Sequence, residues 1–397
     1  MSEWRDLKFS DVLVAESISY GIVQPGPHTE IDSVPIIRVN NIKNGYIKID
    51  DVLKVSSDIE EKYKRTRLVG GELLITVVGS VGECAIVQNS LKGWNVARAV
   101  SVARIKDDFD KKFIKYCFKS EDVKFQMYGN TNDTVQPTLN LSSLKEITLN
   151  LPSHQEQKAI ANVLSSLDNK IDLLHRQNLT LEAMAETLFR QWFVVEAQQD
   201  WVIGKIPNEF DYVMGSSPPG ESYNEEAMGI AMFQGNADFE FRFPKKRIYT
   251  TDPKRFAKKN DTLISVRAPV GAQNMASEQC CIGRGVAAFR YKADNSFYSY
   301  TYFKMKSLME EIKQFNQTGT VFGSISKADF EAFEITIPPV NFVTKFQKQI
   351  KPIDDKVITN CHQIQTLEKL RDNLLPKLMS GEVRVKYTPT ESVENRP

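Results

Sequence analysis

A chain of 397 residues with 41% hydrophobic and 25% charged residues has the make-up of a globular protein, with room for two to four domains. Its 51 basic and 50 acidic residues leave a net charge of +1, a balance that neither supplies nor excludes a local basic face. No apolar run approaches the roughly 18 residues of a membrane span, the N-terminus lacks a signal peptide's basic start and apolar stretch, and the five cysteines, odd in number and without C-x-x-C spacing, argue against a disulfide framework or a structural zinc site. A cytoplasmic location is expected.

The first 150 residues alternate short apolar runs with turn signals. VPIIRV at 34–39, the Asn44-Gly45 pair and ELLITVV at 72–78 predict strands and a tight turn. A helix is expected over 113–128, where Phe113, Tyr116, Cys117 and Val123 share a face. A helical segment follows at 151–195. Residues 196–338 repeat the scheme, with DTLISV at 261–266 as strand and 297–315 as helix. A second helical segment occupies 339–385, and the polar tail, 386–397, is expected to fray. The fold class this predicts is α+β: two globular α/β heads in a pseudo-two-fold arrangement, separated by an intramolecular antiparallel coiled coil of two long helices.

The second half of the chain repeats the first. LNLP at 149–152 returns as ITIP at 335–338, Asp168 and Lys170 as Asp354 and Lys356, and Leu181-Glu182 as Leu367-Glu368, always at one offset (354 − 168 = 186). In the heads the offset drifts: GELLITVVGSVG at 71–82 parallels NDTLISVRAPVG at 260–271, and ARAV at 97–100 parallels GRGV at 283–286. Loops tolerate length changes, whereas a helix loses its register if a residue is added.

Ile160, Leu164, Leu167, Ile171, Leu174, Asn178, Leu181, Ala185, Leu188 and Trp192 are spaced alternately by four and three. Their counterparts are Phe346, Ile350, Ile353, Val357, Asn360, Ile364, Leu367, Arg371, Leu374 and Leu378. This is a heptad pattern, the mark of a coiled coil. Ser165-Ser166 and Pro352 predict a short helix, a break, and a long helix beginning near Leu167 and again near Pro352. The first long helix should fade after Trp192 and the second at Ser380-Gly381. Some 25 residues of antiparallel helix would hold the heads roughly 35–40 Å apart, close to the length of one turn of B-DNA.

Chemistry of its own is hard to find in this chain. There is no phosphate-binding G-x-x-x-x-G-K-[ST], no G-x-G-x-x-G and no methyltransferase motif of the Asn/Asp-Pro-Pro-aromatic type. His175 and His362 fall on the helical segments and read as solvated positions without a nucleophile nearby. Asp168 and Asp354, placed near helix starts, read as partners of the helix dipole. No catalytic residue, metal site or cofactor site is assigned.

The motifs that carry a resemblance are LPSHQEQKAI at 151–160 running into LDNKID at 167–172, then IDDKV at 353–357 and LLPKLMSGE at 374–382. With the order head, helix, head, helix, nearly the whole chain resembles the specificity subunits of bacterial and archaeal type I restriction–modification systems. The second copy departs from the first in carrying VNFVTKF at 340–346 in place of the glutamine-rich stretch. The resemblance implies that 1–150 and 196–338 are target recognition domains, each reading half of a split site in double-stranded DNA, and that 151–195 and 339–385 are spacers. It also implies two modification subunits that hold S-adenosylmethionine and methylate adenine, joined by restriction subunits.

Base edges are read by Arg, Lys, Asn and Gln, and phosphates by basic and hydroxyl groups. In the first head the candidates are Arg38, Asn40, Asn41, Lys64, Arg65, Arg98, Asn132 and Gln136. In the second they are Gln234, Asn236, Lys245, Lys246, Arg247, Arg267, Arg284, Gln317 and Thr318. Each polar residue also reads as a turn or strand cap, and the recurring Arg98 and Arg284 equally as a shared structural ion pair. Two other classes stay open: a scaffold whose heads bind protein, and the DNA-recognition part of a fused restriction–methylation polypeptide.

Asn178 and Asn360 interrupt the two apolar seams. A buried asparagine is costly unless its amide is partnered. Set opposite each other in an antiparallel pair, they place Leu174 by Ile364, Leu181 by Val357 and Leu188 by Ile350, and Leu167 by Arg371 near the end, where a long side chain can reach solvent. An Asn–Asn hydrogen bond would then fix the register; the other reading is that both asparagines face solvent at a locally irregular seam.

Overall fold

The structure is a computed structural model that describes residues 4–129, 137–317 and 324–386, without the side chains of 15–17 and 311–317. Two compact units form: Met1–Lys170 with Leu367–Pro397, and Ile171–Thr366.

The first unit is built on an antiparallel sheet in the order Leu13–Tyr20, Val100–Ile105, Leu73–Thr76, Cys84–Ile86. Every residue of Leu73–Thr76 is buried, as are all but one of Val100–Ile105. These are central strands covered on both faces, and for that reason they read as apolar runs rather than alternations. Beside this sheet, Ser33–Ile37 pairs antiparallel with Leu53–Ser56 and parallel with Asn95–Val96. The Asn44-Gly45 turn joins Ile42–Lys43 to Tyr46–Ile47, both central residues having positive φ (57° and 87°). That backbone suits Asn-Gly and matches the twist of the flanking strands. The helix expected over 113–128 is two helices, Lys111–Cys117 and Glu121–Gly129. The first is capped by the Asp110 carboxylate, which accepts from Phe113 N at 2.9 Å.

The second unit repeats this plan. Its main sheet runs Phe210–Met214, Val286–Tyr291, Thr262–Ser265, Gln273–Met275. Val286 pairs with Ser265 as Val100 pairs with Thr76, and Thr262 pairs with Met275 as Leu73 pairs with Ile86. The parallel pair Ile37–Val96 returns as Phe233–Ile282. One helix, Tyr298–Gln317, stands where the first unit has two.

The long helices correct one expectation. His154–Arg190 and Val340–Met379 each run unbroken for 37 and 40 residues, and the first passes into a π-helical turn at Gln191–Val195. Ser165 and Ser166 do not cap a new helix. Their hydroxyls donate back to the Asn162 and Val163 carbonyls at 3.4 and 2.7 Å, a bond that a helix interior accommodates. Pro352 sits on the exposed face of the second helix, where the carbonyl it leaves unpaired can meet water.

Asp168 and Asp354 therefore lie in helix interiors, away from any favourable dipole end, and each is buried. In the first unit Asp168 accepts from the Tyr116 hydroxyl at 2.7 Å and faces Arg371 Nη1 at 3.2 Å. Arg371, expected to reach solvent, is held by this carboxylate and by Asp372. In the second unit Ala185 takes the place equivalent to Arg371, and the cation comes from elsewhere in the chain. Arg242, wholly buried, puts Nη1 3.1 Å from Asp354 and Nη2 3.5 Å from Glu182, with its guanidinium 3.8 Å from the centre of the Tyr302 ring. The Arg242–Asp354 contact is short but not aligned as a hydrogen bond, so charge and stacking hold it. Burial pushes the Asp354 carboxyl above its ordinary range even against Arg242.

Also in the second unit, Asn360 Nδ2 donates to Asn178 Oδ1 at 2.9 Å, and Asn178 Nδ2 to Cys361 Sγ at 3.4 Å. Both asparagines are fully buried, as are Leu174, Val357 and Ile364 about one turn away along the same helices. Ring contacts continue the antiparallel pairing, with Phe189 against Phe346 and Phe193 against Phe342 at 5.8 and 5.6 Å between centroids.

Candidate nucleic-acid interface

In each unit three loops meet at the ends of core strands, tied by the same main-chain hydrogen bonds. In the first, Ala97 N donates to Ile37 O and Val77 N to Ala99 O, both at 2.9 Å. In the second, Gly283 N donates to Phe233 O and Val266 N to Gly285 O, also at 2.9 Å. These bonds bring loop 38–40 beside 97–99 and 78–80, and loop 234–236 beside 283–285 and 267–269. The approach in the second unit is so close that a Cβ on Gly285 would lie 2.1 Å from Gln234 O.

The first rim surrounds an open recess of about 840 Å³, lined among others by Arg38, Asn40, Lys43, Ser80 and Glu83, with Ala97 and Ala99 at its wall. Arg98 projects between those two alanines and is exposed. Arg38 is half-buried; one Nη reaches Asp51, and its buried Nε has no hydrogen-bond partner. The second rim presents Gln234, Asn236, Arg267 and Arg284, all exposed. The candidates Arg38, Asn40, Arg98, Gln234, Asn236, Arg267 and Arg284 thus fall on equivalent rims.

Others are placed differently. Asn41 is buried, its side chain accepting from Arg38 N at 2.9 Å and donating to the Lys48 and Asp51 carbonyls. Asp238 does the same work in the second unit, accepting from Gln234 N at 2.8 Å, so Asn41 is a turn residue. Arg247 pairs with that Asp238, and Lys246 with Glu278 at 2.6 Å, leaving Lys245 exposed beside them. Lys64 and Arg65 belong to a separate 3-10 segment, Glu61–Thr66, where Lys64 pairs with Glu61. The cluster around them owes much of its charge to structure, since Arg67 binds the buried Glu60. Asn132, Gln136, Thr318 and the Gln317 side chain lie outside the described residues. Their described neighbours approach the rims: Val78 bridges to Thr138, and Arg267 to Ser324.

Sequence reasoning passed over Ser80, which it met only as part of a short glycine loop, and Lys115 and Lys119. The two ammonium groups approach the Asn44-Gly45 turn, and burial, then Lys119, lowers the Lys115 pKa. The available signal was the alignment of the two copies, which sets 78–80 against 267–269. No helix of the described residues is long and apolar enough to cross a membrane, and among them no cluster of His, Cys, Asp and Glu is arranged to hold a metal ion.

One scaffold used twice, with unlike polar side chains at the same rim, defines a two-headed binding protein. A family model described as type I restriction modification DNA specificity domain matches residues 1–183 and 233–371. The chain is 30% identical to the putative type I restriction enzyme MjaX specificity subunit of Methanocaldococcus jannaschii, over 97% of its own length and 94% of the relative's. It is 27% identical to the MjaIX specificity subunit of the same organism, over 79% and 78% of the two chains. Among solved structures, the type I restriction–modification S subunit from M. genitalium is similar in fold, with a TM-score of 0.63 at 17% identity over 98% and 97% of the chains. The chain belongs to the family of type I restriction–modification specificity subunits.

Proposed function

We propose that this chain is the DNA-recognition subunit of a type I restriction–modification complex, each head reading one half of an asymmetric, bipartite site in double-stranded DNA. The observation that carries this is the pair of equivalent rims whose side chains differ, Arg38 and Ser80 on one against Gln234 and Arg267 on the other, with an asparagine, Asn40 or Asn236, on each. Guanidinium and amide groups at such positions match the donor and acceptor patterns of base edges in the major groove. Lys64, Arg65, Lys245, Lys246 and Arg247 fit backbone contacts, which position without reading.

The subunit acts by placing DNA, not by chemistry of its own. In this reading two modification subunits dock on the long helices, hold S-adenosylmethionine and carry out adenine methylation, and restriction subunits join that core. The unbroken helices support a role as spacer, because length along a helix is fixed at about 1.5 Å per residue. A near-neutral chain supplies few phosphate contacts, so the free subunit should bind DNA weakly and the assembled complex tightly. Its place of work is the cytoplasm, where the DNA is.

Exchanging residues 1–150 for another family member's first head, in cells that supply the modification subunit, tests the reading by sequencing the methylated sites. One half-site should change and the other persist. A change in both halves, or a contiguous palindromic motif for the parent chain, would overturn it. A protein-binding scaffold would give no sequence-dependent retardation of duplex DNA in the presence of the modification subunit.

A further inference from the structure

The two heads serve as an internal control on each other. If they read unlike half-sites, an exposed side chain that is the same at equivalent positions in both is unsuited to choosing a base, because the two halves would then share that base. A side chain that differs between the copies is free to choose.

At the rims one charged residue is common to both. Arg98 and Arg284 occupy equivalent places in the loops leading into Val100–Ile105 and Val286–Tyr291. Each stands between small residues, Ala97 and Ala99 in one head and Gly283 and Gly285 in the other. Both are exposed, and among the described residues neither guanidinium has an ion-pair or hydrogen-bond partner. A shared structural ion pair, the other meaning of their recurrence, is therefore not what the described residues show.

Main-chain hydrogen bonds tie the turns beneath them. Val100 N returns to Ala97 O at 2.9 Å and Val286 N to Gly283 O at 3.0 Å, while Arg98 N donates to Ile22 O at 2.9 Å. Binding an anion here orders a side chain and no backbone, which keeps the entropic cost low. Around these fixed points the neighbours diverge: Arg38 becomes Gln234, and Val78-Gly79-Ser80 becomes Arg267-Ala268-Pro269.

We infer that Arg98 and Arg284 are a matched pair of DNA-phosphate anchors, sequence-independent and common to both heads, while the divergent loops around them read the bases. The inference rests on the DNA-recognition reading and adds a division of labour to it. Phosphate contact has a signature that base contact lacks. Each neutralised phosphate contributes about 0.9 to the slope of log affinity against log salt, and its loss weakens binding alike on all sequences. Lysine can replace arginine against a phosphate but cannot make arginine's two-point contact with guanine.

The test uses the full chain assembled with its modification subunits, as wild type, Arg98→Ala, Arg98→Lys, Arg284→Ala and the double alanine variant. Dissociation constants are measured between 50 and 200 mM salt on the cognate duplex and on duplexes altered in either half-site, and methylated motifs are sequenced. Circular dichroism and the melting temperature check that each variant folds. Each alanine variant should lose affinity by the same factor on every duplex. The factor should shrink about 3.5-fold between the two salt concentrations, and the double variant should lower the slope by about two. Arg98→Lys should stay close to wild type, and the motif should not change. A motif relaxed at one position, a lysine variant as weak as the alanine one, or an unchanged slope would overturn the assignment. A wild-type complex that binds all duplexes equally would instead overturn the recognition reading itself.

Discussion

Replacing Arg242 by methionine would isolate the charge at the centre of the second unit. The wild-type guanidinium is wholly buried between Tyr302, Asp354 and Glu182. Burial works against its charge, but the Tyr302 hydroxyl and the two carboxylates together hold its pKa above the ordinary value. Methionine fills much of the same volume and removes only the cation and its stacking. Glu182 keeps a partner, because Lys306 Nζ lies 2.9 Å away. Asp354 loses its cation, with the Ser299 hydroxyl left to offset part of its charge, and breaking a buried ion pair by removing one partner costs about 3–5 kcal/mol. Part of that is recovered by protonation, which burial already favours. The sign follows: a carboxyl whose folded pKa is raised keeps full stability below its unfolded value, near 4, and loses it as pH rises through the folded value, at up to about 1.4 kcal/mol per pH unit. Urea unfolding, with hydrogen exchange read on peptides from residues 171–366, should therefore show a larger loss at pH 8 than at pH 5. Adding Asp354→Leu should restore most of the lost stability and abolish the pH dependence. A single variant within about 1 kcal/mol of wild type at pH 8 would refute the reasoning, as would a double variant less stable than the single.

Asn360→Leu leaves the buried Asn178 Oδ1 without its donor, while Nδ2 keeps Cys361 Sγ, and should destabilise by about 1–3 kcal/mol, whereas Asn178→Leu with Asn360→Leu should match or exceed wild type. In that double variant, disulfide trapping between L174C and I364C should give way to mixed pairings; retention of one pairing would mean that the asparagines do not set the register. Glu209 is buried beneath the Tyr300 hydroxyl, and burial pushes its carboxyl up to about 7. Stability should fall as pH rises from about 4.5 to 7, by up to roughly 3 kcal/mol, and Glu209→Gln should flatten that slope in melting curves; an unchanged slope would sink the assignment. Adding one heptad after Leu174 and a matching one in the second helix should lengthen the spacer of the methylated site and leave both half-sites unchanged, whereas an insertion in one helix alone should disrupt pairing.

The parts of the fold that were readable in the sequence are those where neighbours along the chain share one physical constraint. A helix admits no gap, so the repeat from 149 to 188 survives in register. Central strands are buried on both faces, so 72–78 and 261–266 stand out as apolar runs. The two asparagines were conspicuous because everything around them in the seam is apolar. What stayed hidden depends on groups far apart in sequence. Nothing near Arg242 marks it as the counter-charge of Asp354, and nothing near Asp168 shows why Arg371 stands where Ala185 stands in the other copy. Ser165-Ser166 and Pro352 misled because serine and proline carry the same local preference whether or not tertiary packing overrides it. At the rims, candidate side chains were found by type, but the loops that gather them are tied by main-chain bonds, which leave no trace in residue identity.

The composition of the first unit has a consequence for how the protein is made. Leu374, Leu375, Leu378 and Met379 pack into the same core as Phe9, Ile160 and Leu164, and Arg384 closes onto the buried Glu156. A ribosome releases these residues only after the whole of 171–366 has been synthesised. At about 5–20 residues per second that is a delay on the order of 10–40 s. The unit begun first is thus completed last, and until then it exposes an apolar face that a single strip of helix will later cover. The second unit, drawn from one continuous stretch, has no such wait. Truncation after residue 366 should leave the later head folded and the earlier one open to chaperones and proteases.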